Sequence, residues 1–417
     1  MDITLTPSVL CGALDAIPSK SHAHRLIICA SLGDAPCSVI CPHTSRDIEA
    51  TVCCMRALGA EITRTQDGYD IIPMPRCKKD ATLFVGESGS TLRFLLPICA
   101  AAGGRFEFVM EGRLPARPLS PLNTVLSENG MTLSEAGVSP LIMEGELLAR
   151  ELSISGNVSS QYISGLMFAF AYLGDGGKTA LSTLPESRGY IDMTAKALER
   201  FGVCVTEEEE DGLPVFRVSG RIKTLCRIQK CEGDWSNAAF WLCAGAIGSA
   251  PVGVRGLDPG SLQPDRAIID ILSRFGAEIE CEGDKFVVSP APLHGIEIDV
   301  KNTPDLVPIL AVVAACAEGK TKITGAGRLR LKESDRIAAV CDMINSIGGE
   351  AECEEDRIII HGTGISGGRV KSWGDHRIAM AAAIASAASA DDITVIGAEC
   401  TEKSYPAFFE DMKKVMI

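Results

Sequence analysis

The feature that most constrains how this chain folds is a repeated spacing. Six short polar segments, each followed by an apolar, alanine-rich stretch, recur about every seventy residues: Pro18-Ser19-Lys20-Ser21, Glu87-Ser88-Gly89-Ser90, Ser159-Ser160-Gln161, Gly233-Asp234-Trp235-Ser236, Pro304-Asp305 and Gly374-Asp375-His376-Arg377. Measured on Ser19, Ser88, Ser160, Asp234, Asp305 and Asp375, the intervals are 69, 72, 74, 71 and 70. A second series ends a helix and opens a strand at Gly59, Gly130, Gly202, Gly276 and Gly348, spaced 71, 72, 74 and 72. Glycine just past a helix end takes the left-handed conformation at little cost. The period exceeds that of the common solenoids, so each unit has to be a larger α/β module with two helices and several strands. A sixth glycine would fall beyond Ile417, which leaves the last helix, read at residues 407–415, without a following strand. Ile3-Thr4-Leu5 is the candidate to supply it.

Strand-like runs around residues 3–6, 38–40, 71–73, 83–85, 105–110, 152–155, 178–181, 215–218, 227–230, 252–255, 286–289, 296–299, 321–324, 358–361 and 392–396 alternate with helical segments, the signature of an α/β fold. Six equal units suggest two lobes of three. The expected division is residues 18–230 against residues 1–17 plus 231–417, with the N-terminal strand in the C-terminal lobe and two crossovers of the chain. The acidic run Glu207–Asp211 before Gly212 reads as a solvated hairpin.

Composition narrows the function classes. The formal charge is −14 from 40 Lys and Arg against 54 Asp and Glu. So acidic a chain, without a Lys/Arg-rich tail, is a poor nucleic-acid binder. The apolar stretches at 306–317 and 378–390 are too short to span a bilayer, and Met1-Asp2-Ile3-Thr4 has neither the basic nor the apolar part of a secretory leader. The 17 cysteines include no Cys-x-x-Cys, and Cys37, Cys41 and His43 lack a second pair of ligands. The expectation is a cytoplasmic, thiol-bearing monomer that takes neither nucleic acid nor membrane as partner.

Gly362-x-Gly364-x-x-Gly367 follows a strand, but Gly368-Arg369-Val370-Lys371 opens no helix, so it reads as a loop rather than a dinucleotide site. Cationic residues recur where the second helix of each unit begins: Arg46, Arg117, Arg188, Arg266, Arg336 and, just upstream, Lys403. The helix macrodipole disfavours cations there, so the recurrence points to anionic ligands. The strongest local signal is Lys332-Glu333-Ser334-Asp335-Arg336. Lys332 and Arg336, four apart, are expected on one helix face above a buried stripe of Ile337, Val340, Cys341 and Ile344. That arrangement holds a carboxylate between two cations that can also grip phosphate.

Lys332-Glu333-Ser334-Asp335-Arg336 resembles the signature of the 5-enolpyruvylshikimate-3-phosphate synthases among the enolpyruvyl transferases. So do Gly374-Asp375-His376-Arg377-Ile378-Ala379-Met380, Pro18-Ser19-Lys20-Ser21 with Arg25, Ser159-Ser160-Gln161-Tyr162, Ser187-Arg188-Gly189-Tyr190-Ile191-Asp192, Gly233-Asp234-Trp235-Ser236, Pro304-Asp305 and Lys403-Ser404-Tyr405-Pro406. The matches run in order from residue 18 to 406. The resemblance implies two lobes, each of three βαβαββ units forming an inside-out α/β barrel, with helix N-termini facing a cleft that closes on substrates. It implies transfer of the enolpyruvyl group of phosphoenolpyruvate to the 5-hydroxyl of shikimate 3-phosphate, a step toward chorismate and the aromatic amino acids. No metal or organic cofactor is implied. By the family pattern Lys20, Gly89, Arg117, Gln161, Arg336, Arg377 and Lys403 hold phosphoenolpyruvate. Lys20, Ser21, Arg25, Ser159, Ser160, Gln161, Ser187, Tyr190, Asp305 and Lys332 hold shikimate 3-phosphate.

Catalysis then needs a proton for the methylene of phosphoenolpyruvate, with Glu333 the candidate donor, and a base for the attacking hydroxyl, with Asp305 the candidate, assisted by Lys20 or Lys403. The chain departs from the family at Glu87, where an asparagine is common, and at Phe94, where a proline is common. The rival readings are a UDP-N-acetylglucosamine enolpyruvyl transferase, which uses a cysteine in a loop that here runs Glu111–Arg117 without one, and an inactive anion-binding module.

Overall fold

Six of the twelve α-helices have no exposed face. In chain order the twelve are α1 Lys20–Leu32, α2 Arg46–Leu58, α3 Gly89–Ala102, α4 Leu122–Glu128, α5 Ser160–Leu173, α6 Arg188–Glu199, α7 Trp235–Ile247, α8 Ile268–Phe275, α9 Val307–Cys316, α10 Arg336–Ser346, α11 His376–Ile384 and α12 Phe408–Val415. The odd-numbered ones follow the recurring polar segments, and nearly every residue in them is buried. In α9, Val307–Ala315 is buried without exception. A helix that is apolar all round has to be enclosed on every side. The even-numbered helices carry one apolar stripe; in α10 it comprises Ile337, Val340, Cys341 and Ile344.

The computed structural model describes residues 1–417 and divides into two units, Lys20–Cys231 and Met1–Ser19 with Glu232–Ile417, each with its own apolar core. The third repeat displays the module. Glu151–Ile154 lies parallel to Gly177–Leu181, which pairs antiparallel with Leu213–Ser219, and that strand pairs antiparallel with Cys204–Glu210. With α5 and α6 between strands, the order is βαβαββ. Five four-stranded sheets share this layout. The hairpin expected at Glu207–Asp211 joins the last two strands through Asp211 and Gly212, both at positive φ, the backbone hand that two-residue hairpin turns favour.

Two repeats take their first strand from a remote part of the chain. Ile228–Lys230 lies parallel to Cys37–Ile40, and Gly12–Asp15 parallel to Val252–Arg255. The sixth sheet has three strands: Gly368–Lys371 runs parallel to Ile393–Ile396, and Asp2–Leu5 pairs antiparallel with the latter. The N-terminal strand therefore stands where the other repeats have the strand that ends the module, and Met416, beyond α12, makes only a single bridge to Leu10. Gly12–Asp15, Leu141–Gly145 and Gly368–Lys371 were not among the expected strands. Each is short and contains a glycine, which weakens both alternation and β-propensity. The five glycines of the second series all take positive φ, between 77° at Gly202 and 121° at Gly59.

No helix is long and apolar enough to cross a membrane. Because α9 has no exposed face, truncating Leu310, which is fully buried, leaves a cavity that the surrounding helices can fill only in part. Leu310→Ala is expected to lower unfolding stability by about 2–5 kcal/mol, read as a lower urea midpoint at unchanged slope.

Candidate functional site

Each unit gathers cationic and polar side chains at the starts of its buried helices. In Lys20–Cys231, Ser88 and Ser159 cap α3 and α5 by accepting from the backbone N–H of Thr91 and Gln161. Ser160, the marker of the spacing, is thus the first helical residue and the cap lies one position earlier. The Gln161 amide donates to Ser90 Oγ at 2.9 Å, and its carbonyl accepts from Arg93 Nη1 at 3.2 Å, which ties the two helix starts together. Gly89 sits under two guanidiniums. A Cβ there would lie 2.4 Å from Arg93 Nη1 and 2.9 Å from Arg117 Nη1, so only glycine leaves both groups in place. Arg117 lies between the helical turn Leu114–Ala116 and α4. It does not open the second helix as its spacing suggested, because Pro118 and Pro121 interrupt the segment.

Lys20, the first residue of α1, pairs with Asp47 of α2 at 2.8 Å, both largely out of solvent. Arg25, 2% exposed, donates to Thr194 Oγ1 at 2.8 Å and to the carbonyls of Ser21 and Tyr190 at 2.6 and 2.7 Å, and lies over the rings of Phe94 and Tyr190. Phe94, where the family pattern has proline, is thus the floor beneath this cation. The groups that take Arg25's N–H bonds are neutral; burial lowers its pKa to about 10, with Tyr190 opposing. A buried cation whose hydrogen bonds run to neutral acceptors retains attraction for an anion. Ser187 precedes α6 at φ 55°, a strained setting for a non-glycine residue. Behind this face, His24 Nδ1, Thr51, Thr91 and Ser88 form a chain of side-chain bonds of 2.7 Å each across α1, α2 and α3. Glu87 is exposed and its carboxyl lies against the backbone at Gly112, where a Cβ would be 1.5 Å from Oε1.

In the other unit, everything turns on Arg336, 1% exposed at the start of α10. Its guanidinium donates to Asp305 Oδ1 at 2.6 Å, Glu333 Oε2 at 2.8 Å and Asp375 Oδ2 at 2.7 Å. Asp305 also faces Lys332 Nζ at 3.6 Å and Arg377 Nη2 at 3.3 Å. Lys332 and Arg336 do not share a helix face. Lys332 follows the helical turn Gly327–Leu331, and α10 begins only at Arg336, capped by Asp335. The two cations converge on Asp305 instead from adjoining segments. Asp305 lies in the turn Pro304–Leu306 ahead of α9. Asp375 both caps α11, accepting from Arg377 N, and holds Arg336. Before it, Trp373 adopts φ 56° and donates to Asp342 Oδ2 at 2.8 Å. Lys403 is buried at the end of the turn Ala398–Lys403.

Burial pushes the Asp305 carboxyl up, but Arg377, Lys332 and Arg336 outweigh it and hold the group well below the usual carboxylate range. The neighbouring carboxylates overcome burial to hold the Arg336 guanidinium well above its ordinary value. Burial draws Lys332 down to about 8, with Asp305 opposing. Arg188, one of the recurring cations, is tied at the half-buried start of α6 to Asp192 at 2.8 Å and to Glu207, a local ion pair. The sequence reading gave no partner role to Asp47, Thr194 or the Asp375 carboxylate; Asp47 and Asp375 stood in segments that it had singled out, and Thr194 did not.

A family model described as EPSP synthase (3-phosphoshikimate 1-carboxyvinyltransferase) matches residues 5–412. The chain belongs to the EPSP synthase family. It is 39% identical over 423 residues to a 3-phosphoshikimate 1-carboxyvinyltransferase of Clostridium kluyveri, covering 99% of this chain and 97% of that one. It is 38% identical to the protein of the same name from Clostridioides difficile, covering 99% and 96%. Among solved structures it resembles the EPSP synthase of Acinetobacter baumannii at TM-score 0.80 and 24% identity, covering 100% and 98%. It also resembles the enolpyruvyl transferase NikO of Streptomyces tendae at TM-score 0.76 and 18% identity, covering 99% and 96%. These two likenesses concern the fold, which is the two-lobe enolpyruvyl transferase type.

Removing Arg336 strands three carboxylates. Arg336→Met is expected to cost about 3–5 kcal/mol at neutral pH. Asp305 has a lowered folded pKa, so the stability that it contributes is present above the unfolded value near 3.8 and is lost as pH falls through the folded value. The gap between wild type and variant should therefore narrow below about pH 4, measured by urea unfolding across pH.

Proposed function

We propose that this chain is a 3-phosphoshikimate 1-carboxyvinyltransferase, which joins phosphoenolpyruvate and shikimate 3-phosphate into 5-enolpyruvylshikimate 3-phosphate and phosphate. The observation that carries the reading is the convergence of Asp305 and Glu333 on the single guanidinium of Arg336, flanked by Lys332 and Arg377. Two carboxyls for two proton movements, set among cations for two polyanions, is what this reaction needs. Relatives at 39% identity bear the enzyme's name over the full length.

The residue roles belong to this proposal. Arg25, Ser21, Ser159, Ser160, Gln161, Ser187, Tyr190 and Lys332 hold shikimate 3-phosphate. Lys20, Gly89, Arg117, Gln161, Arg336, Arg377 and Lys403 hold phosphoenolpyruvate. Glu333 acts in its protonated form: the 5-hydroxyl oxygen attacks C2 of phosphoenolpyruvate as C3 receives that proton, and Asp305 takes the hydroxyl proton. The tetrahedral intermediate then expels phosphate, breaking the C2–O bond, while Glu333 recovers a proton from C3 and the double bond re-forms. An anion binding at Arg336 and Arg377 competes with Asp305 for them, and each interaction so diverted makes Asp305 a stronger base. Positioning and stabilisation of charge supply the rest.

Phosphate release should require shikimate 3-phosphate together with phosphoenolpyruvate and yield an enolpyruvyl ether by mass spectrometry. Release with UDP-N-acetylglucosamine instead would establish the rival transferase, and binding without release would leave an anion-binding module. Glu333→Gln should remove most turnover and leave shikimate 3-phosphate binding; near-normal turnover would end its assigned role. Lys332 loses its charge as pH rises through about 8, so the KM for shikimate 3-phosphate should climb there. Lys332→Met should show a raised KM with no such climb.

A further inference from the structure

Asp265 lies outside every role assigned above. It sits in the helical turn Pro264–Ala267 that leads into α8 and is 1% exposed. Its Oδ2 accepts a short hydrogen bond from Ser236 Oγ on α7, and its Oδ1 is buried with no hydrogen-bond partner. The charged groups that face it are Asp305 from the turn ahead of α9, Arg377 from α11 and Asp234 from the cap of α7. An ionised carboxylate with a bare oxygen in such a place is costly; a protonated one is not. Burial and Asp305 push this carboxyl up to about 7, against Arg377 and the Ser236 bond.

Asp305, Glu333 and Asp375 are held by Arg336, Arg377 and Lys332. With Asp234 also near it, an ionised Asp265 adds a further negative charge beside Arg377, the cation that the proposed reaction assigns to the donor substrate. We propose that Asp265 is a positioning residue that sets the anion affinity of Arg377: as the neutral acid it leaves the guanidinium to the anionic donor, and as the carboxylate it competes for it. This rests on the functional reading above.

The test compares wild type, Asp265→Asn and Ser236→Ala between pH 5.5 and 8.5. The KM for phosphoenolpyruvate should rise with pH severalfold more in wild type than in Asp265→Asn, because the amide stays neutral. In Ser236→Ala the extra rise should move to higher pH, since the lost hydrogen bond favoured the carboxylate. A ratio of wild-type to Asp265→Asn KM that stays constant across pH overturns the proposal. Unfolding provides a readout without turnover. A raised folded pKa gives stability that is present below about pH 4 and lost by about pH 7, so wild type should lose stability relative to Asp265→Asn over that interval. A flat difference likewise overturns the proposal. If no protein releases phosphate, the functional reading fails. Calorimetric titration with phosphoenolpyruvate then replaces KM, and an affinity difference that grows with pH sustains the role of Asp265, while one that does not grow removes it.

Discussion

Enclosure of the apolar helices governs the rest of this structure. A helix such as α9, with Val307–Ala315 entirely buried, offers water no side along its length and leaves only its ends for polar chemistry. N-termini carry unpaired N–H groups and positive potential, so polar and anion-attracting side chains collect there. The functional candidates Lys20, Gly89 and Ser160 are first residues of α1, α3 and α5, and Arg377 is the second of α11. The sheets and amphipathic helices that wrap these axes fix where the ends can be.

Concentrating cations at helix N-termini sets them against the macrodipole, and the protein answers with its own carboxylates. Arg336 holds three, and Lys20 holds Asp47. The pairs make burial of the charges tolerable and fix each side chain in one position. Under the proposed roles an incoming polyanion would exchange partners with the protein instead of adding to bare charge, so its affinity would be a difference between two large attractions. Arg25 is built otherwise, on a hydroxyl, two carbonyls and aromatic rings.

The seventy-residue period was readable because glycine C-caps and polar helix starts are local requirements, and it placed the six buried helices; the second helix of a unit was placed less well, as at Arg117, five residues ahead of α4. What it could not reveal was pairing at a distance. Nothing in Gly12-Ala13-Leu14-Asp15 identifies Val252–Arg255 as its neighbour, and four residues without alternation are too few to announce a strand. The candidate site was legible where a segment matched a family motif, and illegible where a residue is held by a partner. Asp47 and Thr194 hold Lys20 and Arg25, but an aspartate or threonine in an amphipathic helix has no mark in sequence. Lys332 shows the complementary error: spacing of four implied a shared helix face, whereas the extended backbone at Lys332 places the charge by another route to the same carboxylate.

The placement of Asp2–Leu5 against Ile393–Ile396 bears on the order in which the chain can acquire structure during synthesis. Residues 20–231 form an uninterrupted unit whose strand partners all lie within it, so they can fold as soon as they emerge. The first nineteen residues cannot. Gly12–Asp15 waits for Val252–Arg255, and Asp2–Leu5 for a strand almost four hundred residues later. For most of translation the N-terminal segment remains an unpaired strand former, and loop closure over that distance comes late and slowly. The brevity of both strands and the charges of Asp2 and Asp15 blunt that exposure, as short, charged edges do elsewhere.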